Sequence, residues 1–300
     1  MNDTVTIRPN EGWDTRILVC ACGTLVDTFI VLTERYVVIV DTMLNGTTAQ
    51  ALLAIAREYQ GRRQLLAVNT HADWDHAWGN HVLVGASAET QVPIIGSRHC
   101  AARLRHRAAR AELAHKRAAE PGRFDDVQLT PPTILFDDAL AIAGGDLTLQ
   151  LFATPGHTSD HIAIFIPQIA TLLAGDAAEL PFPFVESAST IPQMRASLER
   201  MAALNPAVAL YCHAPVTSGP KALEQNIAYF ATLEHHCRAA LAQGAPARPP
   251  ADADVEVLVS FPYAAAVPIE LDAEALAGFY RPGHQAAIRM MLEYLDGSSA

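Results

Sequence analysis

Asn69-Thr70-His71-Ala72-Asp73-Trp74-Asp75-His76-Ala77-Trp78-Gly79-Asn80 is the stretch around which the chain is organised. His71, Asp73, Asp75 and His76 are four potential metal ligands within six positions. They follow an apolar run, Leu65-Leu66-Ala67-Val68, which reads as a buried strand. A strand that stops at such a cluster carries it to a sheet edge, where a site can open to solvent. Imidazole and carboxylate are ligand types that suit Zn, Fe or Mn. A polar turn between strand and helix is the plainer reading, and it leaves four closely spaced ionisable groups without a role.

Three further segments repeat the pattern of a strand ending in a possible ligand. Leu149–Ala153 runs into Thr154-Pro155-Gly156-His157-Thr158-Ser159-Asp160-His161. Ala170–Ala174 runs into Gly175-Asp176, and Val208–Cys212 runs into His213. Small or turn-forming residues beside each polar group let the backbone approach closely. One such segment is a weak signal; three, added to the 69–80 stretch, are hard to assign to turns alone.

Working outward, residues 16–40 give three β-like runs, and Asp41 closes the last of them after an unbroken apolar stretch. Thr47 or Thr48 can cap a helix to about Tyr59, with Ala51, Leu52, Ile55 and Ala56 on one face. A short strand is expected at Val92–Ile95. Ser97 then caps one long basic helix, 98–119, holding Arg98, Arg103, Arg105, Arg107, Arg110, Lys116 and Arg117. Such a helix reads as a solvated face or as an anion-binding lid. Strands are expected at 133–136, 139–143, 147–153, 161–166, 170–173 and 208–211, with helices over 192–203 and from about Gly219 onward. Two β-rich halves, each ending in helices, predict an α/β fold with two sheets face to face and helices outside. Ala245–Asp254, rich in Ala, Pro and Asp, is the linker candidate. The expected division is a metal-dependent domain over 1–244 and a helical extension over 245–300 packed on it.

With 300 residues, half of them hydrophobic and 18% charged, the chain can bury a sizeable core. A formal charge of −11 argues against a nucleic-acid surface. It leaves an anionic substrate possible, because bound cations would dominate the field locally. The five cysteines, Cys20, Cys22, Cys100, Cys212 and Cys237, have no disulfide-like spacing, and Cys20 and Cys22 read as buried small apolar residues. The N-terminus lacks the basic and apolar regions of a secretory signal, and no apolar run is long enough to span a bilayer. A cytoplasmic protein is expected, with a small-molecule substrate and no nucleic-acid or membrane partner; a homodimer is left open.

On His71-Ala72-Asp73-Trp74-Asp75-His76, the Thr-Pro-Gly-His157 turn, the Ala-Gly-Asp176 turn and the late His213, in that order, residues 15–235 resemble the metallo-β-lactamase fold superfamily of metal-dependent hydrolases. Trp74, Gly79-Asn80 and Thr-Pro-Gly-His-Thr-Ser at 154–159 are most similar in texture to the glyoxalase II branch, whose members hydrolyse thioesters. The resemblance implies a four-layer αββα sandwich of two mixed sheets. It implies two divalent metal ions, one held by His71, Asp73 and His157, the other by Asp75, His76 and His213, with Asp176 bridging. It implies a metal-bridging hydroxide attacking an ester-like carbonyl of a thioester, lactone or related acyl bond, with Asp75 as the catalytic carboxylate that orients it.

Two departures stand out. The family's usual motif has His where this chain has Asp73. A carboxylate is shorter, harder and negatively charged, which shifts preference from Zn toward Fe or Mn or leaves the first metal weakly held. Flavodiiron oxidoreductases resemble this chain in placing a carboxylate there, so a diiron oxidoreductase without a flavin domain is the alternative. The basic and Tyr positions that glyoxalase II uses for glutathione are not evident after His213, where Ala-Pro-Val-Thr-Ser-Gly-Pro-Lys221 follows. Other histidines read as bystanders: His161 as a supporting or structural residue, His81, His99, His106 and His115 as surface residues on helices, and His235-His236 on a late helix. His284 in Arg-Pro-Gly-His copies the 155–157 turn without a preceding strand. Trp74 and Trp78 line a pocket mouth or pack, and Leu180–Phe184 forms an apolar wall or a packed loop.

Overall fold

The computed structural model describes residues 3–85, 88 and 91–297. Residues 1–2 of the expected first domain and 298–300 of the expected extension lie outside them. Seven strands form one mixed sheet in chain order: β1 Val5–Ile7, β2 Ile17–Cys22, β3 Val26–Leu32, β4 Tyr36–Val40, β5 Gln64–Val68, β6 Ile94–Ser97 and β7 Ile134–Phe136. β1 to β4 pair antiparallel; β4 to β7 pair parallel. A second sheet of five strands holds β8 Ala139–Ala143, β9 Thr148–Ala153, β10 Ile162–Ile166, β11 Thr171–Gly175 and β12 Val208–Tyr211. Its pairs are antiparallel except β11 with β12.

The period-two alternation of the second sheet divides its side chains cleanly. Leu149, Leu151, Ile162, Ile164, Leu173 and Leu210 join Val19, Phe29 and Val38 of the first sheet in one core cluster. The intervening Phe152, Ala163, Leu172, Ala209 and Tyr211 face the other way, into a second cluster. The helices are α1 Gly46–Glu58, α2 His81–Val84, α3 Arg98–Arg105, α4 Arg107–Ala119, α5 Ile191–Ala203, α6 Lys221–Ala242, α7 Val255–Leu258, α8 Tyr263–Ala266 and α9 Ala273–Leu295. The second cluster receives Met194 and Leu198 of α5, Phe230 and Leu233 of α6, and Ile288 and Leu292 of α9. On the far side of the first sheet, α1 lies against β4 and α3 against β6 and β7. The layers are helix, sheet, sheet, helix. This explains why β4 reads as an unbroken apolar run: both its faces are covered.

Some local expectations are corrected. Asn45, not Thr47 or Thr48, caps α1, while Thr48 completes the capping box from the third helical position. The single basic helix is two, broken at His106, whose backbone is extended and whose ring accepts from the Ala108 N–H. Ser97 caps only the first of these. The strand placed at 92–95 runs over Ile94–Ser97. His81 is buried rather than superficial, and its ring contacts the Trp78 carbonyl; His99, His106 and His115 are exposed. Arg281-Pro282-Gly283-His284 lies inside α9. Cys20 and Cys22 are buried free thiols. Among the described residues no helix is long and apolar enough to cross a membrane.

Strand direction gathers the chemistry at one edge. β4 and β5 run parallel, as do β11 and β12, and two antiparallel steps align β9 with β11. Asp41 and the 69–80 stretch follow the carboxyl ends of β4 and β5. The His157 turn, Asp176 and His213 follow those of β9, β11 and β12.

Candidate metal centre

The 69–80 stretch is closed at its own two ends. Asn69 Nδ2 donates to Asn80 Oδ1 at 3.1 Å, and Asn80 Nδ2 donates back to Asn69 Oδ1 at 2.8 Å. Between them the chain turns tightly, with the His76 and Ala77 N–H groups both donating to the Asp73 carbonyl. This folds His71, Asp73, Asp75 and His76 back toward one point.

The second sheet supplies the remainder. His157 rides on a turn whose Gly156 has φ +142°, and a Cβ there would fall 2.4 Å from the Met194 Cα of α5. Only glycine lets this turn sit against that helix. Gly175, at φ +57°, brings its backbone so close to His161 that a Cβ would lie 2.6 Å from Nε2. In return His161 Nε2 accepts the Asp176 N–H at 3.0 Å, and His161 Nδ1 donates to Thr154 Oγ1 at 2.8 Å. Burial, followed by the neighbouring His71 and His157, holds the His161 ring well below the usual imidazole range. His161 is therefore a neutral acceptor that fixes Asp176, the supporting role expected of it.

The seven expected residues converge. Asp176 Oδ2 lies 3.6 Å from His71 Nε2, 3.2 Å from His76 Nε2, 3.6 Å from His157 Nε2 and 3.3 Å from His213 Nε2. Asp73 Oδ2 is 3.6 Å from both His71 Nε2 and His157 Nε2. Asp75 places Oδ2 3.4 Å from His213 Nε2 and Oδ1 3.7 Å from His76 Nε2. Three trios, His71–Asp73–His157, Asp75–His76–His213 and His71–His76–Asp176, each keep their donor atoms within 4.8 Å of one another.

The hydrogen bonding around these rings suits a cation. His76 Nδ1 donates to Asp41 Oδ2 at 2.9 Å. Thr70 Oγ1 gives its proton to the same oxygen at 2.6 Å and so accepts from His71 Nδ1 at 2.9 Å. His157 Nδ1 donates to the Phe184 carbonyl at 3.3 Å. With each Nδ1 committed to an oxygen partner, Nε2 is the ring nitrogen left to face a cation once its proton is displaced. Nε2 of His71, His76 and His157 and Oδ1 of Asp176 are buried without a hydrogen-bond partner. Orphaned buried polar atoms are rare, and an ion is one of the few things that satisfies several at once. The residues present fit a divalent metal.

The electrostatics agree. Burial alone would lower the His157 ring, but Asp73 and Asp176 outweigh it and raise it to about 9. Burial is likewise overridden at His76 and His213, which Asp176 and Asp75 hold well above the imidazole range. Burial would raise the Asp73 carboxyl, yet His71 and His157 keep it well below its usual range. These groups are held as cations facing anions, an arrangement that a metal replaces by displacing protons. Cys212 also lies near His76 and Asp41. Burial pushes its thiol up to about 12, which keeps it protonated.

Several partners of the site were not singled out by sequence. Asp41 accepts the Thr70 N–H at 2.7 Å besides the two bonds above. Its one outward signal is a carboxylate ending a wholly apolar strand. Arg103 bonds Asp73 and Asp160, settling one residue of the basic helix as part of the site's surround. Glu179 is buried beside the cluster, and burial, only partly opposed by His213, pushes its carboxyl up to about 8. The 180–184 segment both packs and serves: Phe182 stacks on Tyr229, and Phe184 stacks on Tyr280 of α9 while its carbonyl holds His157. Trp78 is buried; Trp74 lies under the Lys116 ammonium, 3.4 Å from the ring centroid. His284 is far from the cluster in role, bridging Tyr229 and the Phe261 carbonyl in the second core.

Residues 23–213 match the family model of the metallo-beta-lactamase superfamily, and the chain belongs to that superfamily. Among individual proteins, it is 28% identical over 191 residues to a hydroxyacylglutathione hydrolase of Methylococcus capsulatus. That match takes in 61% of this chain and spans 62% of the relative's length. A metallo-beta-lactamase family protein from Thermus thermophilus superposes with a TM-score of 0.60 at 21% identity, over 92% of this chain and 89% of that one. A metallo-beta-lactamase from Pontibacter korlensis superposes with a TM-score of 0.56 at 18% identity, over 76% and 99%. Both likenesses bear on the fold alone.

Proposed function

We propose that the protein is a metal-dependent hydrolase carrying two divalent cations, acting on an ester-like carbonyl in a small molecule. His71, Asp73 and His157 would hold the first cation and Asp75, His76 and His213 the second. Asp176 would bridge them. The observation that carries this reading is the set of buried, unpartnered Nε2 atoms aimed at a carboxylate common to four histidines. Such cations, once bound, supply a hydroxide nucleophile at neutral pH and polarise the scissile carbonyl.

The chain's own groups do the positioning. Asp41 and Thr70 fix the rings of His76 and His71, and the Phe184 carbonyl fixes that of His157. Asp75, with oxygens toward both His76 and His213, would orient the attacking group. A thioester is the first substrate class to try, on the strength of the hydroxyacylglutathione hydrolase likeness; lactones come next.

The test is metal analysis of protein purified without added metal, then a panel of thioesters, lactones, β-lactams and phosphodiesters. Asp176→Ala is expected to lose both metal and hydrolysis. Full metal loading and turnover in that variant would overturn the site assignment. Asp73 supports one further reading, a diiron centre in an oxidoreductase, because it makes three carboxylates among seven groups. A preparation that binds only redox-silent zinc would end that reading.

A further inference from the structure

Asp73 presents a problem of charge. It stands in the same cluster as Asp75 and Asp176, so the site gathers three carboxylates around four imidazoles. Both oxygens of Asp73 also lie within reach of donors, and a carboxylate free to offer both to one cation gives a different coordination from one that offers a single oxygen.

Arg103 answers both points. It lies on α3 near the end of the helix, with its side chain one-third exposed. One terminal nitrogen is 2.8 Å from Asp73 Oδ1, and the other is 2.6 Å from Asp160 Oδ1. Oδ2 of Asp73, the oxygen Arg103 does not touch, faces His71 Nε2 and His157 Nε2 at 3.6 Å each. Asp160 is buried, three residues after His157, and its other oxygen has no partner. A single planar guanidinium thus spans two ligand-bearing loops that come from different sheets. The rigid fork is what allows one side chain to hold two carboxylates at once, which a lysine ammonium on a flexible stem does less well.

We propose that Arg103 is a positioning residue for the first metal site: it occupies Oδ1 of Asp73, offsets that residue's charge, and leaves Oδ2 as a single-oxygen ligand. This rests on the metal reading above. Its consequence is that Asp73, compensated in this way, behaves toward a cation more like a neutral one-atom donor than like a free carboxylate. The bias toward Fe or Mn that a bare Asp73 would introduce is thereby reduced, and Zn is retained. Through Asp160 the same side chain keeps the His157 turn in register with Asp73.

The test uses metal-stripped full-length protein titrated with Zn2+ and Mn2+ against a chromophoric chelator, and the visible spectrum of the Co2+ form. Variants are Arg103→Met, Arg103→Lys, Asp73→His and the Arg103→Met/Asp73→His pair. Arg103→Met is expected to lose roughly 10–100-fold in affinity for Zn2+ at one of two sites. It should also narrow the preference for Zn2+ over Mn2+ and weaken the Co2+ absorption as coordination expands. Arg103→Lys should recover part of the loss. In the Asp73→His background, removing Arg103 should cost clearly less than in wild type, because the charge at position 73 is gone and only the tie to Asp160 is left to lose. Unchanged Zn2+ affinity and Co2+ spectrum in Arg103→Met would overturn the inference while leaving the metal reading intact. So would an equal loss in both backgrounds, which marks a role through Asp160 alone. Wild-type protein that binds neither ion would overturn both.

Discussion

Asp41→Asn should damage the metal centre while leaving the fold in place, and the structure says why. Asp41 sits at φ +61°, a backbone conformation that Asn adopts as readily as Asp, so the substitution adds little strain. The carboxylate accepts three bonds: the Thr70 N–H on Oδ1, and Thr70 Oγ1 and His76 Nδ1 on Oδ2. In the amide the oxygen must stay with the backbone N–H, which can only donate. The NH2 group is then turned toward His76 Nδ1. A donor there forces the ring proton onto Nε2, the atom that should face the cation. Both bonds that Oδ2 accepted, from Thr70 Oγ1 and His76 Nδ1, lose their charged acceptor, and the His76 bond alone is a change of about 1.5–3 kcal/mol. Loss of the partner that orients a ligating histidine costs roughly 10–100-fold in metal affinity, or about 1.4–2.8 kcal/mol. The two magnitudes overlap. The assay is a competition titration with Zn2+, paired with imidazole nitrogen chemical shifts that distinguish the tautomers. Wild-type affinity and stoichiometry in Asp41→Asn, or a His76 ring still protonated at Nδ1, would refute the reasoning.

Three other outcomes are expected. His284 is buried and neutral, donating from Nε2 to the Phe261 carbonyl and accepting at Nδ1 from Tyr229. Burial lowers its pKa in the folded state, so the unfolded chain takes up the proton first: this stability is present above about pH 6.5 and is lost as pH falls through the folded value. Urea unfolding of His284→Gln should accordingly fall less steeply between pH 7 and 5 than wild type, by up to about 1.4 kcal/mol per pH unit; identical slopes would contradict it. Gly156→Ala should destabilise by about 2–4 kcal/mol and loosen metal binding, since its Cβ meets the α5 backbone and its φ is one that Ala avoids; a thermal melt within a degree of wild type would show that the turn has room. Loading metal-free protein with Zn2+ at pH 7 should release more than one proton, because His76, His157 and His213 are all held protonated by facing carboxylates; calorimetry in buffers of different ionisation enthalpy reads the number, and zero would mean the cluster is already neutral.

What the sequence disclosed divides along the line between local pattern and long-range contact. The strands were legible because both sheets are covered on both sides or alternate sharply, as Leu151 and Phe152 do, and such patterns survive in a linear reading. The seven converging residues were legible because each follows a strand whose end is marked by small or turn residues. Arg103 was not distinguishable from its neighbours on a basic helix, since its partners lie 30 and 57 residues away. The break at His106 has no glycine or proline to announce it. His81 looked superficial because α2 is only one turn long and its burial depends on what surrounds it. Asn45, Thr47 and Thr48 all fit the capping pattern in a linear sequence, and the contacts of the folded turn select Asn45.

The division of the seven groups between sheets has a mechanical consequence. His71, Asp73, Asp75 and His76 belong to the first sheet, and His157, Asp176 and His213 to the second. Among the described residues, the backbone links between these edges include Ile162 N–H to the Thr70 carbonyl and Asp27 N–H to the Cys212 carbonyl. Any ion shared by the two groups works as a rivet through the sandwich, and its binding energy adds directly to the force holding the halves together. By mass action, an ion at 100 times its dissociation constant contributes about 2.7 kcal/mol to the folded state. Chelation should then loosen the sandwich first at the edge where the seven residues meet, so the state of the metal pool would set how long the folded protein survives.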